Sequence, residues 1–283
     1  MGSLTGRADA LFTSCVIGAD GVLSVLFGAD KIAFGLWSRR LKTVLRSHEA
    51  AAEVCLLRQP PLVIEAANHA ASSMEHRACA ILKSLGFKWF DSAEVCDIEE
   101  NFFSLGFSSC HPSLDRNDVF YLRRSCDVLR THTTSGLRRG LNSAEGPLKA
   151  FTLGRVYRKD DGLNHLSSFT QLEGIVVCQS CSLAHIAKLL RLIVSNLLEV
   201  RFLSRLRRAS FPFTCPSIEL DLYKGLKFST SAPNFQWLEV AGAGRLKPGV
   251  VAQSFSKAYA FGIGLERLLM IDLGLKNLKM FKA

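Results

Sequence analysis

The sequence predicts an α+β chain in which helices flank an antiparallel sheet, preceded by a short helical N-terminal arm. Three observations lead there. Short runs rich in β-branched and aromatic residues recur between polar loops, as strands do. Longer stretches repeat apolar residues every three or four positions, the period of an amphipathic helix. Residues 1–60 differ from the rest, with few turn residues, until Gln59-Pro60-Pro61 breaks the pattern. The expected division is an arm over 1–60 and a body over 61–283.

Taken in order, the arm carries a basic amphipathic helix over 33–57. Leu36, Leu41, Val44 and Leu45 share a face, with Arg39, Arg40, Lys42 and Arg46 beside them. A helix over 69–85 follows from Met74, Ala78, Ile81, Leu82 and Leu85, and Gly86 suits its C-terminal cap. Strands are expected over 119–122, 151–158, 169–178, 218–222 and 237–240. A long helix over 183–203 buries Leu189, Leu190, Ile193, Leu197, Leu198 and Phe202. A last helix runs over 264–274. Strands joined by hairpin-like loops, with helices between, give the α+β class.

Composition narrows the function. A chain of 283 residues holds one large domain, or one with a small extension. With 48% hydrophobic and 21% charged residues it is not a disordered chain. Its net charge of +10 points to a polyanionic partner. Nucleic acid and an anionic membrane are the usual candidates, and no apolar run reaches the ~18–20 residues of a membrane span. Arg7, Asp9 and Asp20 interrupt the N-terminus, so neither a signal nor a transit peptide is expected. The nine cysteines are odd in number and scattered, which reads as free thiols in a reducing, cytoplasmic setting. Cys178-Gln179-Ser180-Cys181 has no second pair to close a zinc tetrahedron. It reads as two small apolar residues at a strand end.

Two stretches carry chemistry. In Gly154-Arg155-Val156-Tyr157-Arg158 and the segment from His165 to Glu173, a strand, a charged loop and a strand follow one another. An arginine at the strand end and a histidine across the loop suit a phosphate. Gln171 and Glu173 point to one face, where an amide and a carboxylate suit an ammonium group. A surface hairpin laced by ion pairs accounts for the same residue types. In Ala260-Phe261-Gly262-Ile263-Gly264-Leu265-Glu266-Arg267, two glycines at a strand-to-helix junction admit a flat ligand. Arg267 can lay its guanidinium over an aromatic base.

Together these stretches resemble motifs 2 and 3 of class II aminoacyl-tRNA synthetases. His111-Pro112, Asp118 to Leu122, and Leu129-Arg130-Thr131-His132-Thr133 resemble the run found in the α-subunit family of phenylalanine–tRNA ligases. So do Phe211-Pro212-Phe213-Thr214 and Trp237-Leu238-Glu239-Val240 with Gly242 and Gly244. The likeness extends from about residue 69 to the C-terminus. It implies a class II catalytic core over 61–283, and a reduced tRNA-binding extension over 1–60. It implies ATP and Mg²⁺, a β-subunit partner in an (αβ)₂ heterotetramer, tRNA(Phe), and no membrane.

Residue roles are implied by the same likeness. Arg158 would hold the α-phosphate and the reacting carboxylate, with His165 near the outer phosphates. Phe169 and Arg267 would sandwich the adenine, and Arg158 and Arg267 are the catalytic pair. His132, Gln171 and Glu173 would surround the ammonium. Phe211 and Phe213 would grip the phenylalanine ring, with Ala260 at the pocket floor.

The chain also departs from the family pattern. The serine and glutamine after the His-Thr pair correspond to Thr134 and Leu137 without a gap. With one inserted residue they correspond to Ser135 and Arg138. The glutamate that ligates a shared magnesium is Cys215, a poor partner for a hard cation. An arginine is replaced by Leu114, and the motif 1 proline by Ala93. The single-chain organellar form is not expected, because sixteen residues follow Arg267. The alternative function is a catalytically impaired synthetase-like paralogue acting as a binding module.

Overall fold

The structure is a computed structural model. It describes residues 15–17, 23–25, 61–115, 118–122, 126–142, 146–159, 165–198, 202–223, 237–250, 257–275 and 278–281. The chain divides into two compact units, Met1–Arg58 and Gln59–Ala283. In the first unit, β1 (Cys15–Ile17) pairs antiparallel with β2 (Leu23–Val25). The described residues of the arm, which was expected to be helical, form these two strands; Val16 and Ile17 are β-branched and suit the first. The helix expected over 33–57 lies outside the described residues.

The second unit opens with α1 (Pro61–Ser84). It starts eight residues before the apolar period, at a proline, whose fixed φ suits the first helical position. Ala70, Met74, Ala78 and Leu82 are its buried stripe. Gly86, at φ +81°, follows in the left-handed conformation that ends many helices. Then come β3 (Lys88–Trp89), β4 (Val95–Asp97) and the single turn α2 (Ile98–Asn101), which Asp97 caps by accepting the Glu100 N–H at 2.6 Å. The chain continues through β5 (Asp127–Leu129), α3 (Thr134–Asn142), β6 (Leu148–Tyr157), β7 (Ser168–Val177) and α4 (Leu183–Leu197). It closes with β8 (Ser204–Phe211), β9 (Thr214–Tyr223), β10 (Trp237–Leu246), β11 (Ala258–Gly264) and α5 (Leu265–Leu273).

Seven strands form one sheet in the order β3-β6-β7-β11-β10-β9-β8. Every pairing is antiparallel except β3 with β6. Strands β4 and β5 form a separate antiparallel pair. Among the described residues no helix is long and apolar enough to cross a membrane.

Several expected elements differ. The strand over 119–122 reduces to a single bridge between Tyr121 and Val128. The helix over 183–203 ends at Leu197, and Ser204 begins β8. Cys178 and Cys181 are disulfide-bonded, which corrects the expectation of free thiols throughout. Their Cα atoms lie 5.7 Å apart across the turn from β7 to α4, a separation a disulfide spans. His185 is held nearby for another reason: it completes the capping box of α4 with Ser182.

The sheet register sorts its residues onto two faces. Thr152, Glu173, Gly262, Gly242 and Glu219 lie opposite one another across five strands. Ala150, Ile175, Ala260, Gly244 and Ser217 form the next row on the same face. Except for Glu173, Glu219 and Ile175 these are small, so the face is a trough. α3 lies over this face, where Leu137 and Leu141 share a hydrophobic cluster with Ala150, Ile175 and Ala260. Phe151, Gly174, Phe261, Ala243 and Ile218 form a row on the other face. There Phe87, at the end of α1, meets Phe261 edge-on at 5.9 Å.

Gly174 lies directly beneath the Phe261 ring, inside the space a Cβ would take. Gly174→Ala must push that ring and strand β11 with it. Overpacking of this kind costs about 1–3 kcal/mol. The expected outcome is a lower denaturant midpoint with an unchanged slope; an unchanged midpoint contradicts the packing described.

Candidate active site

The trough opens into a cavity of about 550 Å³. Arg158, His165, Phe169, Gln171, Glu173, His132, Phe211, Phe213, Ala260 and Arg267 all line it. They come from β7, β8, β11, α5 and three connecting segments. The sheet register is what gathers residues so far apart in sequence.

At one end lies a buried carboxylate. Glu173, 2% exposed, accepts hydrogen bonds from the Thr133 hydroxyl at 2.7 Å and from the Thr134 hydroxyl. The Gln171 amide donates to it at 3.4 Å. These partners are uncharged. Burial pushes the Glu173 carboxyl above the usual carboxylate range, against the pull of the threonine hydroxyls and of Arg158. Gln171 Oε1 is buried without a hydrogen-bond partner, and so are both ring nitrogens of His132. Burial and the Arg158 charge lower the His132 pKa to about 3, so its ring is neutral near pH 7. The arrangement holds one negative group and several unused polar atoms around a small space, which suits a compact cation with hydrogens to donate.

The two ways of matching the segment after His132 are both answered here. Leu137 is fully buried in the hydrophobic cluster, and Arg138 Nε donates to the Val250 carbonyl at 3.1 Å. Neither reaches Glu173. The hydroxyls of Thr133 and Thr134 hold the carboxylate instead.

Beyond the carboxylate the walls are aromatic. Phe211 and Phe213 lie 6.3 Å apart and nearly parallel. Gly242 leaves room for the first ring, since a Cβ there would come within 2.7 Å of it. Phe213 faces His132 at 6.0 Å and Phe107 at 6.3 Å. Phe107 also stacks on His132 at 6.2 Å. Ala260 belongs to the cluster on which Phe107 and Phe213 pack. Sequence reasoning missed Phe107, because it follows a 3-10 turn (Phe103–Leu105) and obeys no strand or helix period. It missed Thr133 for another reason: its hydroxyl is aimed by the fold.

The other end is cationic. Arg158 Nε donates to the Thr131 carbonyl at 3.1 Å, and its guanidinium lies 5.4 Å over the Phe169 ring. His165 is exposed at the rim. Arg267 Nη1 donates to the Glu239 carbonyl at 2.9 Å, with the Glu239 carboxylate 3.8 Å away. Arg207 pairs with Glu219 and with the buried Asp221. Burial, then the charge of Glu239, raises the Glu219 carboxyl, so these two carboxylates share one neighbourhood beside Arg267. Cys215 is an exposed thiol, a side chain unsuited to magnesium.

Comparison with known proteins gives the class to which this fold and cavity belong. The family described as tRNA synthetases class II core domain (F) matches residues 58–283. The chain belongs to this family of aminoacyl-tRNA ligases. Among similar proteins, the phenylalanine–tRNA ligase alpha subunit of Aquifex aeolicus (strain VF5) is 32% identical over 233 residues, 78% of this chain and 68% of the relative. That of Rickettsia canadensis (strain McKiel) is 30% identical over 223 residues, 75% of this chain and 62% of the relative. That of Syntrophus aciditrophicus (strain SB) is 29% identical over 280 residues, 89% of this chain and 81% of the relative. The chain thus spans about two thirds of the length of the first two.

One further carboxylate borders the cavity. Glu266 Oε1 accepts the Thr170 N–H at 2.7 Å, while its Oε2 is buried without a hydrogen-bond partner. Glu75 of α1 accepts the Thr170 hydroxyl at 3.0 Å. Burial raises the Glu266 pKa from 4.5 to about 7, with a smaller contribution from Glu75. Between those two values the folded chain holds a proton that the unfolded chain has lost, so stability falls as pH rises through the window. Glu266→Gln keeps the acceptor for Thr170 and cannot ionise. Relative to the parent, the variant should gain on the order of 2 kcal/mol between pH 5 and pH 8. Urea melts at the two pH values check this, and a pH-independent difference contradicts it.

Proposed function

We propose that the chain is the catalytic α subunit of a phenylalanine–tRNA ligase. It activates L-phenylalanine with ATP to phenylalanyl-adenylate and transfers the amino acid to tRNA(Phe). The observation that carries this reading is the buried Glu173 with uncharged partners, set beside an aromatic-walled space on the same sheet face. An amino acid with an aromatic side chain supplies both the missing cation and the ring. The matched family and the names of the relatives agree with it.

In this reading the ammonium sits among Glu173, Gln171 and the neutral His132. A protonated histidine would repel it, and burial keeps that ring neutral. The phenylalanine ring lies between Phe211, Phe213 and Ala260, where edge and face contacts suit it. The substrate carboxylate attacks the α-phosphate in line, and pyrophosphate leaves. Arg158 meets the negative charge that grows on the phosphate oxygens. No covalent bond to the protein forms. His165 reaches the outer phosphates, and Phe169 and Arg267 hold the two faces of the adenine. Mg²⁺ takes one or two carboxylates with substrate phosphates, a set that Glu219 and Glu239 can supply, and it would offset phosphate charge. The net charge of +10 suits a tRNA partner. A β subunit in an (αβ)₂ assembly and a cytoplasmic setting complete the proposal, with 1–60 as the tRNA-binding extension and 61–283 as the catalytic domain.

A second reading, a catalytically impaired paralogue acting as a binding module, draws on Leu137 and Cys215. Phenylalanine-dependent ATP–pyrophosphate exchange by the chain co-expressed with its partner decides between them. Exchange supports the ligase, and its absence supports the module. Arg158→Ala should lower the exchange rate at least about a hundredfold, the cost of a lost transition-state donor. Arg155→Ala, on the opposite side of β6, should cost less; the reverse order would falsify the assignment of Arg158. Ala260→Gly removes one methyl group and should admit para-chlorophenylalanine while costing phenylalanine about 1 kcal/mol or less. An unmoved ratio between the two amino acids places the pocket floor elsewhere.

A further inference from the structure

Among the described residues outside the cavity, Arg130 is an unusual group. It directly follows β5 and is 2% exposed. A buried cation is costly unless closely partnered, yet the hydrogen bonds of its guanidinium go to backbone carbonyls. Nε donates to the Arg155 carbonyl at 2.7 Å. Nη1 donates to the Ser92 carbonyl and, at 3.2 Å, to that of Ala93. Its own N–H donates to the Glu94 carbonyl at 2.9 Å, and its carbonyl accepts the Tyr157 N–H at 2.9 Å. The Tyr157 hydroxyl donates to Glu94 Oε2 at 2.7 Å. Gly154 explains itself here, because a Cβ at that position would overlap Nη2 of Arg130.

These contacts converge on Arg158 from two sides. Arg155 and Tyr157, which Arg130 holds, lie at the end of β6, directly before Arg158. The carbonyl of Thr131, next to Arg130 in the chain, accepts from Arg158 Nε at 3.1 Å. The guanidinium holds the Arg155 carbonyl, the backbone of Arg130 holds Tyr157, and the neighbouring Thr131 carbonyl seats the Arg158 side chain, so three contacts around Arg158 start from one residue and the next. A planar fork can span carbonyls on two separate segments at fixed directions; an ammonium is a point donor and cannot.

We propose that Arg130 is a positioning residue for Arg158, tying the 92–94 segment to strand β6 so that the Arg158 guanidinium meets the reacting phosphate. This rests on the ligase reading above. Arg130 touches no substrate. Its effect passes through Arg158, so the two residues form one unit and their losses do not add.

The test is a double-mutant cycle in the chain co-expressed with its partner, using Arg130→Lys, Arg158→Ala and the pair. The readout is ATP–pyrophosphate exchange per active site, with sites counted from the adenylate burst. Counting sites separates the proposal from a structural role, which would reduce the number of sites and leave turnover per site intact. Arg130→Lys should lower kcat about tenfold, with the KM values for ATP and phenylalanine changed less than about threefold. In the Arg158→Ala background the same change should cost less than about twofold. Gly154→Ala crowds the guanidinium with every charge kept; it should show the same non-additive loss, and it replaces Arg130→Lys if that variant does not fold. Equal fold-losses in both backgrounds, or a loss confined to site number or KM, overturn the proposal while leaving the ligase reading intact. No exchange by the unsubstituted complex overturns the ligase reading and the proposal together.

Discussion

The antiparallel register of β6, β7 and β11 is the constraint on which the site depends. It sets Glu173 opposite Thr152 on one side and Gly262 on the other, and Ile175 between Ala150 and Ala260. A shift of one residue would turn Glu173 into the apolar layer and bring Leu172 or Gly174 into the cavity. The same register places Gly174 under the Phe261 ring on the far face. Packing on one side thus enforces chemistry on the other: the sheet cannot slip without colliding with its own core.

With the register fixed, the small residues beside Glu173 become intelligible. Gly262 sits where a Cβ would come within 2.8 Å of the Gln171 amide, and Gly242 where it would strike Phe211. A floor of small residues leaves the cavity deep, and the carboxylate at its base is shielded from water. Shielding makes an unpaired charge costly and a paired one strong. The two threonine hydroxyls orient Glu173 without cancelling its charge, and the nearby His132 ring is neutral. Arg158 and Arg267, at the opposite end, keep the cationic chemistry apart from it. One trough carries two electrostatic ends, matched to an amphoteric amino acid and a polyphosphate.

Much of this was legible in the sequence. The β-branched and aromatic runs of β6 and β7, the pair Gln171 and Glu173, and the glycines before Arg267 mark the central strands and residues that line the cavity. What could not be read has physical causes. The helix Thr134–Asn142 begins Thr-Ser-Gly, residues with weak helix preference, and tertiary packing of Leu137 and Leu141 stabilises it. Strand β8 (Ser204–Phe211) is rich in arginine because Arg205 and Arg207 answer Asp221 across the pair, a pattern that looks like a solvated loop until the partner strand is known. Val119 is buried as strand patterning suggests, but its segment gains only one bridge. Phe107 and Arg130 act through contacts far away in sequence, where no local period reports them.

The account stands most directly on where the amino acid lies. A crystal structure of the chain with its partner and a non-hydrolysable phenylalanyl-adenylate analogue measures this. The account predicts the ammonium within about 3 Å of the Glu173 carboxylate, the ring between Phe213 and Ala260, and the phosphate on Arg158. An analogue bound with its ammonium in solvent, or with its phenyl ring at the Phe169 end of the cavity, would contradict it.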